Sequence, residues 1–422
     1  MARDLPGWLD YIERQHPKSI DMGLDRAREV ATRLRLEKPA KQVITVAGTN
    51  GKGSTVAFVE SIARAAGWKV AAYTSPHLLR YNERVRIDGA EAGDAALVEA
   101  FEAVERARGD VALTYFEYGT LAALWLFQRA DLDLAVLEVG LGGRFDAVNI
   151  VDADVAVITT VDIDHVEWLG PDRESIGAEK AGIARAWKPL VLGEIDSPSS
   201  VLRHAYAIGA NALRLGSDFF AEPIDAARWR WRDAGSELEL SNPPLPAPAQ
   251  IDNAATAVAA LRALPDAPPD AAFAPGIADT RLPGRLQRFE RNGVAIHVDV
   301  GHNPQAAREL AAWLDAQPRR GRDFAVYAAL SDKDAAQVAA AFAVRPLHWR
   351  LAGLEAAGPR GQDVDALAAK LTGTAAADGE RHADVAQALA AALAQAEAGD
   401  RILVFGSFHT AAAALEWLHS GR

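Results

Sequence analysis

Residues 43–55, VITVAGTNGKGST, constrain this chain more than any other stretch. Val43, Ile44 and Val46 are β-branched and bounded by a glycine, which predicts the end of a buried strand. Gly48, Gly51 and Gly53 follow, with Lys52 between the last two. The next segment, TVAFVESIARAAG, carries an apolar stripe of Val56, Val59, Ile62 and Ala63 and reads as a helix that Ser54 and Thr55 are expected to cap. Strand, glycine turn, lysine and helix start together make a cradle for a polyphosphate. Glycines let backbone N–H groups converge on oxygens, the helix start adds positive dipole, and Lys52 supplies a full charge. The spacing departs from the common GxxxxGK[ST] pattern because Gly53 follows the lysine. A plain glycine turn with a solvated lysine is the alternative, and the flanking strand and helix weigh against it.

The rest of the chain repeats that alternation. Residues 5–36 read as two helices joined by HPKSIDMGLDR, with Asp21 as the expected cap of the second. Short apolar strands are expected at 68–74, 132–139, 153–160 and 189–193, with helices at 97–108, 114–129 and 174–186. Alternating strands and helices with short links predict an α/β fold built on a mainly parallel sheet covered on both faces. Residues 217–247 change period. Arg228, Arg230 and Arg232 alternate with Trp229 and Trp231, which predicts an antiparallel hairpin with tryptophans inward and arginines in solvent. A helix is expected at 250–264. Residues 265–285 are rich in Pro, Ala and Asp and end in TRLPGR, a linker candidate. Beyond them strands at 294–300, 324–330, 348–352 and 401–405 predict a smaller open α/β domain. The expected division is residues 1–284, a linker at 285–292, and a second domain at 293–422.

A chain of 422 residues is long for one core, and half of it is hydrophobic. The formal charge of -12 argues against nucleic acid or an anionic membrane as partner. That balance also favours the bland reading of the Arg–Trp strand. There is no cysteine, which excludes disulfides and thiolate chemistry and fits a cytoplasmic location. No apolar run reaches spanning length, so no membrane segment is expected.

In open parallel sheets ligands bind beyond the carboxyl ends of the strands. Polar residues gather at those ends: Ser75, Glu138, then Asp162, Asp164 and His165, with Lys180 on the next helix. Ser75 and Glu138 are hard oxygen donors suited to magnesium, whereas imidazole suits softer metals. Ordinary strand-end acids and Asx turns remain the competing explanation for Glu138, Asp162 and Asp164.

In order along the chain stand TVAGTNGKGST, TSPHL, LTYFEYGTLAALWLF, LEVGLGGRFDAVNIVDADVAVIT, DHVEWLGPDRESIGAEKAGI, LPGR, DVGHNP and GSFHT. Over nearly its whole length the chain resembles the bacterial bifunctional dihydrofolate synthase/folylpolyglutamate synthase family of the Mur ligase superfamily. The resemblance implies a P-loop-containing central domain and a smaller Rossmann-like C-terminal domain on the glutamate side. It implies an ATP-dependent ligase that activates a carboxylate as an acyl phosphate and couples it to L-glutamate. The acceptors would be dihydropteroate and tetrahydrofolate or folylpolyglutamates. ATP would sit on Thr49, Asn50, Gly51, Lys52, Gly53 and Ser54, with Asn253, Arg285 and Asp299 contributing. Magnesium would be held by Ser75, Glu138 and His165, with Lys180 as a carbamate; a potassium ion is allowed for.

The same resemblance places the acceptor against Asp21, Met22 and Gly23, against Thr114, Tyr115, Phe116 and Glu117, and against Phe145, Asp146 and Ala147. Phe116 is the expected stacking partner of a pterin ring. Ser407 and His409 are assigned to the glutamate, and His302 is the candidate base by residue type. A monomer without nucleic-acid or membrane partners is expected. Two departures stand out. Gly301 replaces the usual alanine of DxAHNP, an expected loosening of that turn, and LSDKD lacks the usual histidine before DKD. Other readings remain at this level: a Mur ligase with a peptidoglycan-precursor acceptor, a small-molecule P-loop kinase, or a nucleotide-dependent binding module.

Overall fold

The computed structural model describes residues 3–18, 20–318 and 320–421. The chain forms two compact units, one of residues 1–244 and 250–280, the other of residues 245–249 and 281–422.

In the first unit the strands are β1 (Gln42–Ala47), β2 (Val70–Tyr73), β3 (Val85–Ile87), β4 (Ala90–Glu91), β5 (Leu134–Glu138), β6 (Val155–Ile158), β7 (Pro189–Leu192) and β8 (Asn211–Arg214). They form one sheet in the order β4-β3-β2-β5-β1-β6-β7-β8. β2, β5, β1, β6, β7 and β8 run parallel, and only the β3–β4 edge is antiparallel. β1, β2, β5 and β6 are buried along their whole length, as continuous apolar strands covered on both faces must be. The chain leaves β1 toward β2 on one side and returns from β5 to β6 on the other. The carboxyl end of β1 is therefore the switch point where such sheets take ligands.

A separate antiparallel sheet holds β9 (Phe219–Pro223), β10 (Arg228–Asp233) and β11 (Glu237–Ser241), so the expected hairpin has a third strand. Trp229 and Trp231 are buried, and their indole N–H groups donate to the carbonyls of Ser241 and Ala255, each at 3.1 Å. The alternating arginines pair with acids: Arg230 with Glu237, and Arg232 with Glu222. Solvated arginines and inward tryptophans are what the sequence pattern predicted.

Residues 265–285 are not a linker. They contain the helix Phe273–Asp279, which lies against the helix Lys52–Ala65. Ser61 Oγ donates to the Gly276 carbonyl at 2.7 Å, and a Cβ on Gly276 would stand 2.4 Å from Ile62 Cα. Proline and alanine there set a tight packing corner; composition alone does not distinguish that from an open tether.

The second unit holds β12 (Gln287–Arg291), β13 (Val294–Val298), β14 (Asp323–Tyr327), β15 (Leu347–Ala352), β16 (Glu380–His382) and β17 (Arg401–Phe405). Their order is β12-β13-β17-β14-β15-β16, parallel except for β12. The stretch expected as a linker at 285–292 is thus mostly an edge strand paired to β13. Trp313, Tyr327, Phe342, Trp349 and Phe405 fill the core on one side of this sheet. The alanine-rich C-terminal stretch forms ordinary helices, Val364–Lys370 and Val385–Gln395, each capped by an aspartate.

Among the described residues no helix is long and apolar enough to cross a membrane.

Candidate active site

The loop after β1 is fastened to the end of β6. Thr49 N–H donates to the Thr160 carbonyl at 2.8 Å, and Asn50 N–H to Thr160 Oγ1 at 3.1 Å. Thr159 Oγ1 donates to the Asn50 carbonyl at 2.5 Å, and Thr49 Oγ1 to the Asp162 carbonyl at 3.0 Å. Gly51 then takes a left-handed conformation, φ 85°, and forms the N-cap of the helix Lys52–Ala65. Ser54 and Thr55, expected as caps, are buried inside its first turn instead. The helix begins earlier because glycine adopts this conformation without strain. Having no side chain, Gly51 supplies no cap bond, so the helix start remains a site for an anion.

Side chains press close around that cradle. A Cβ on Gly48 would stand 1.8 Å from Thr159 Oγ1, and one on Gly51 would stand 2.4 Å from Asn253 Oδ1. Lys52 Nζ curls back to the carbonyls of Gly48 at 2.9 Å and Thr49 at 3.3 Å. The expected nucleotide residues Thr49, Asn50, Gly51, Lys52, Gly53, Ser54 and Asn253 therefore meet in one place.

Ser75 and Glu138 also meet. Ser75 N–H donates to Glu138 Oε2 at 3.2 Å, and Glu138 is buried at the end of β5. His165 lies in the loop after β6 in a left-handed conformation, and its N–H donates to Asp164 Oδ1 at 2.9 Å. Lys180, on the helix Arg173–Ala181, is only 3% exposed. Burial, with the nearby Lys52 charge, pulls its ammonium pKa down to about 7, against the opposing pull of Asp164 and Glu194. Glu194, just past β7, is pushed up to about 7 by burial; it accepts Val161 N–H and pairs with Arg173. Glu194 was missed in the sequence, although the strand-end rule applied to β7 points to it.

Among the described residues no group of three His, Asp or Glu side chains is arranged to hold a metal ion. The expected set contains only two such residues, Glu138 and His165, and is completed by the Ser75 hydroxyl and a modified Lys180. A hydroxyl and a buried carboxylate beside a phosphate cradle are donors that fit a hard divalent cation.

On the other side of Glu138 lies an aromatic wall. Thr114 caps the helix Tyr115–Phe127, and Glu117 returns the bond to Thr114 N–H. The Phe116 ring packs on the backbone of Gly140, at 2.7 Å from where a Cβ would stand, and lies 5.9 Å from the Tyr73 ring. Met22 reaches the neighbouring Gly142. Asp21 does not cap the second helix; Leu24 holds that position. Asp21 is instead engaged by Arg26, at 2.6 Å, and Arg26 also pairs with Glu117 at 3.1 Å. This clamp joins the Asp21–Met22–Gly23 segment to the start of the 115–127 helix. Asp146 accepts N–H bonds from Gly140, Leu141 and Val148, while burial raises its carboxyl to about 7. It organises the glycine loop, with buried Ala147 behind it and Phe145, 39% exposed, before it.

In the second unit, Asp299 takes Leu286 N–H at 2.8 Å and Gly301 N–H at 2.7 Å, and burial raises its pKa. Arg285 lies 5.5 Å from the Phe408 ring, and His302 Nδ1 bonds the Val300 carbonyl at 3.0 Å. Ser407 caps the helix Phe408–His419 through Thr410 N–H, and its hydroxyl also bonds Thr410 Oγ1 at 2.7 Å. That hydroxyl is committed to the helix. His409 is exposed. The Gly301 turn is held by the Asp299 bond, and an alanine Cβ there would come within 3.2 Å of Ala306.

The Mur ligase middle-domain model matches residues 46–261, and the Mur ligase glutamate ligase domain model matches residues 284–408. Fold and site thus define an ATP-dependent ligase that forms C–N bonds. The dihydrofolate synthase/folylpolyglutamate synthase of Escherichia coli (strain K12) is 49% identical over 421 residues, 100% of this chain and 97% of that protein. The structure of E. coli FolC in complex with DHPP and ADP matches with a TM-score of 0.94 and 48% identity, covering 100% of this chain and 99% of that one. A bifunctional folylpolyglutamate synthase/dihydrofolate synthase with Mn, AMPPNP and L-glutamate bound matches with a TM-score of 0.90 and 44% identity, over 99% and 98% of the two chains. The chain belongs to the dihydrofolate synthase/folylpolyglutamate synthase family.

Proposed function

We propose that this chain adds L-glutamate to dihydropteroate, giving dihydrofolate, and to folyl(poly)glutamates. The single observation that carries the reading is the arrangement at the end of β1: a glycine cradle with Lys52, flanked by Ser75 and Glu138, then by the Phe116 wall. The acceptor carboxylate oxygen attacks the γ-phosphorus of ATP, ADP leaves, and an acyl phosphate results. The glutamate amine then attacks the acyl carbon, phosphate leaves, and the amine gives up its proton, for which His302 is the candidate acceptor. Phosphoryl transfer depends on positioning and charge neutralisation. Lys52 and the uncapped helix start supply both at the phosphates, and Asn253 stands against the same loop.

Magnesium is the expected divalent ion, held by Ser75, Glu138 and His165, and when bound it neutralises phosphate charge. Lys180 fits a carbamate. A buried amine with a pKa near 7 has the neutral form that captures carbon dioxide, releasing a proton and leaving an anion. An ordinary ammonium there would repel a cation. Met22 and Phe116 would take the pterin faces, and the family resemblance assigns Arg285 and Asp299 to the nucleotide. Ser407 and His409 are assigned to the glutamate end, Ser407 through the helix start it caps. We place the protein in the cytoplasm as a monomer, with potassium as an optional activator.

The test is a paired assay. The protein is incubated with ATP, magnesium and L-glutamate, with dihydropteroate in one arm and tetrahydrofolate in the other. Dihydrofolate and a glutamate-extended folate should form with stoichiometric ADP and phosphate. Glutamate-independent ADP release, or no product in either arm, would refute the assignment.

A further inference from the structure

Three arginines stand close together in RYNERVR, and they are treated differently by the fold. Arg80 pairs with Glu91, and Arg86 with Glu60 at 2.7 Å. Arg84, between them, is only 9% exposed, yet among the described residues no carboxylate oxygen lies within 4.0 Å of its guanidinium. Its Nε donates to His77 Nδ1 at 2.8 Å, so that imidazole accepts as the neutral ring. Its guanidinium carbon lies 5.4 Å from the Tyr81 ring centroid and 5.6 Å from that of Tyr115. Among the described residues no protein hydrogen bond uses either terminal nitrogen.

A buried cation is costly unless an anion meets it, and a neutral imidazole with two ring faces offsets only part of that cost. The position indicates which anion. The Arg84 carbonyl accepts Thr74 N–H at 2.9 Å, and Thr74 precedes Ser75, which bonds Glu138. Tyr115, beside the guanidinium, precedes Phe116 of the acceptor wall. Arg84 thus pairs through its backbone with the strand end that leads into Ser75, and its guanidinium faces Tyr115 at the start of the helix that carries Phe116, all within one unit of the chain.

We infer that Arg84 binds the reacting carboxylate of the acceptor and holds it for attack on the terminal phosphate. The inference rests on the acceptor site proposed above. A terminal carboxylate is common to dihydropteroate and every folyl glutamate, so one fixed guanidinium serves both. With Nε held by His77, the two remaining nitrogens are left for the two carboxylate oxygens, a bidentate pairing.

The test uses Arg84→Gln and Arg84→Lys in the full chain. KM for dihydropteroate and for tetrahydrofolate should rise roughly 10- to 100-fold in Arg84→Gln, the loss expected for a charged hydrogen bond. KM for ATP and for glutamate should stay near the wild-type values, and Arg84→Lys should recover part of the loss. The melting temperature of the ligand-free Gln variant should hold or rise, because an uncompensated buried charge has gone; the upward shift that dihydropteroate gives the wild type should vanish. A lower melting temperature with unchanged acceptor KM would make Arg84 a structural cation and overturn the inference. So would a rise confined to the KM of glutamate or of ATP, which would move the anion to another substrate. A wild-type protein inert toward both acceptors would fault the proposed reaction itself, whereas an active wild type with indifferent variants faults Arg84 alone.

Discussion

Gly51 and Asn253 are in such close register that a Cβ on the glycine would stand 2.4 Å from the asparagine Oδ1. Asn253 belongs to the helix Ala249–Arg262, 7% exposed and itself held by Gln250. The candidate phosphate loop is therefore shaped from two sides, by the end of β6 and by this helix.

An alanine at Gly51 meets two obstacles, the left-handed backbone and the asparagine. Gly51→Ala should lower the melting temperature by several degrees, since about 1–2 kcal/mol is expected for the backbone alone. KM for ATP should rise at least tenfold. Adding Asn253→Ala should return the part of the stability loss due to the clash but not the part due to φ. Calorimetry of both single variants and the double checks this. Strict additivity would mean that the two side chains do not meet.

Lys52 Nζ bonds two carbonyls of its own loop, those of Gly48 and Thr49. Those bonds are local and reach no core residue. Lys52→Ala should therefore leave the circular dichroism spectrum and melting point close to wild type while kcat falls by roughly 10²–10³, the usual effect of removing one preorganised electrostatic group. Retained turnover would mean the loop serves some other end.

His297 is packed edge-on against Trp313, 4.7 Å between ring centroids, and burial brings its pKa down to about 4. The unfolded chain holds that proton from near pH 6.5 downward, the folded chain only near pH 4. Between those values the unfolded state binds more protons, so stability is whole above pH 6.5 and declines as pH falls. The loss from this one group is on the order of 3 kcal/mol across the window. Urea titrations of wild type and His297→Phe at pH 7 and pH 5 should show a smaller acid loss in the variant. Equal losses would remove His297 as the cause.

How much of this could be read from the chain alone differs by element. β1, β5 and β6 were legible because a strand buried on both faces must be a continuous apolar run, and few other structures need one. The inward tryptophans of β10 were legible from period-2 alternation plus the acidic balance. β3, β4 and β16 were not, because a strand of two or three residues has no period to read. The caps failed for a different reason. Asp21 and Ser54 have the right chemistry, but Arg26 took the first, and a left-handed Gly51 began the helix before the second. At the site, Ser75 and Glu138 followed from strand-end position. Arg84 did not, since the missing carboxylate that singles it out exists only once the neighbouring arginines have found theirs.

Lys180 and Lys52 lie close enough for their charges to repel, and each makes the other's charge harder to hold. A second ammonium beside a phosphate loop could have been matched by an acid, yet Asp164 and Glu194 only partly offset its burial. Conversion to a carbamate removes the repulsion and adds an anion where a divalent cation would sit. Activity should therefore fall in buffer stripped of carbon dioxide, most below pH 7 where the ammonium predominates, and return on adding bicarbonate. Lys180→Ala should lose most of its turnover and regain part of it with a short carboxylate such as acetate or propionate. The assay is steady-state ADP release with each addition at fixed ionic strength. An enzyme indifferent to carbon dioxide, together with an active Lys180→Ala, would leave the buried amine unmodified and its role in the site refuted.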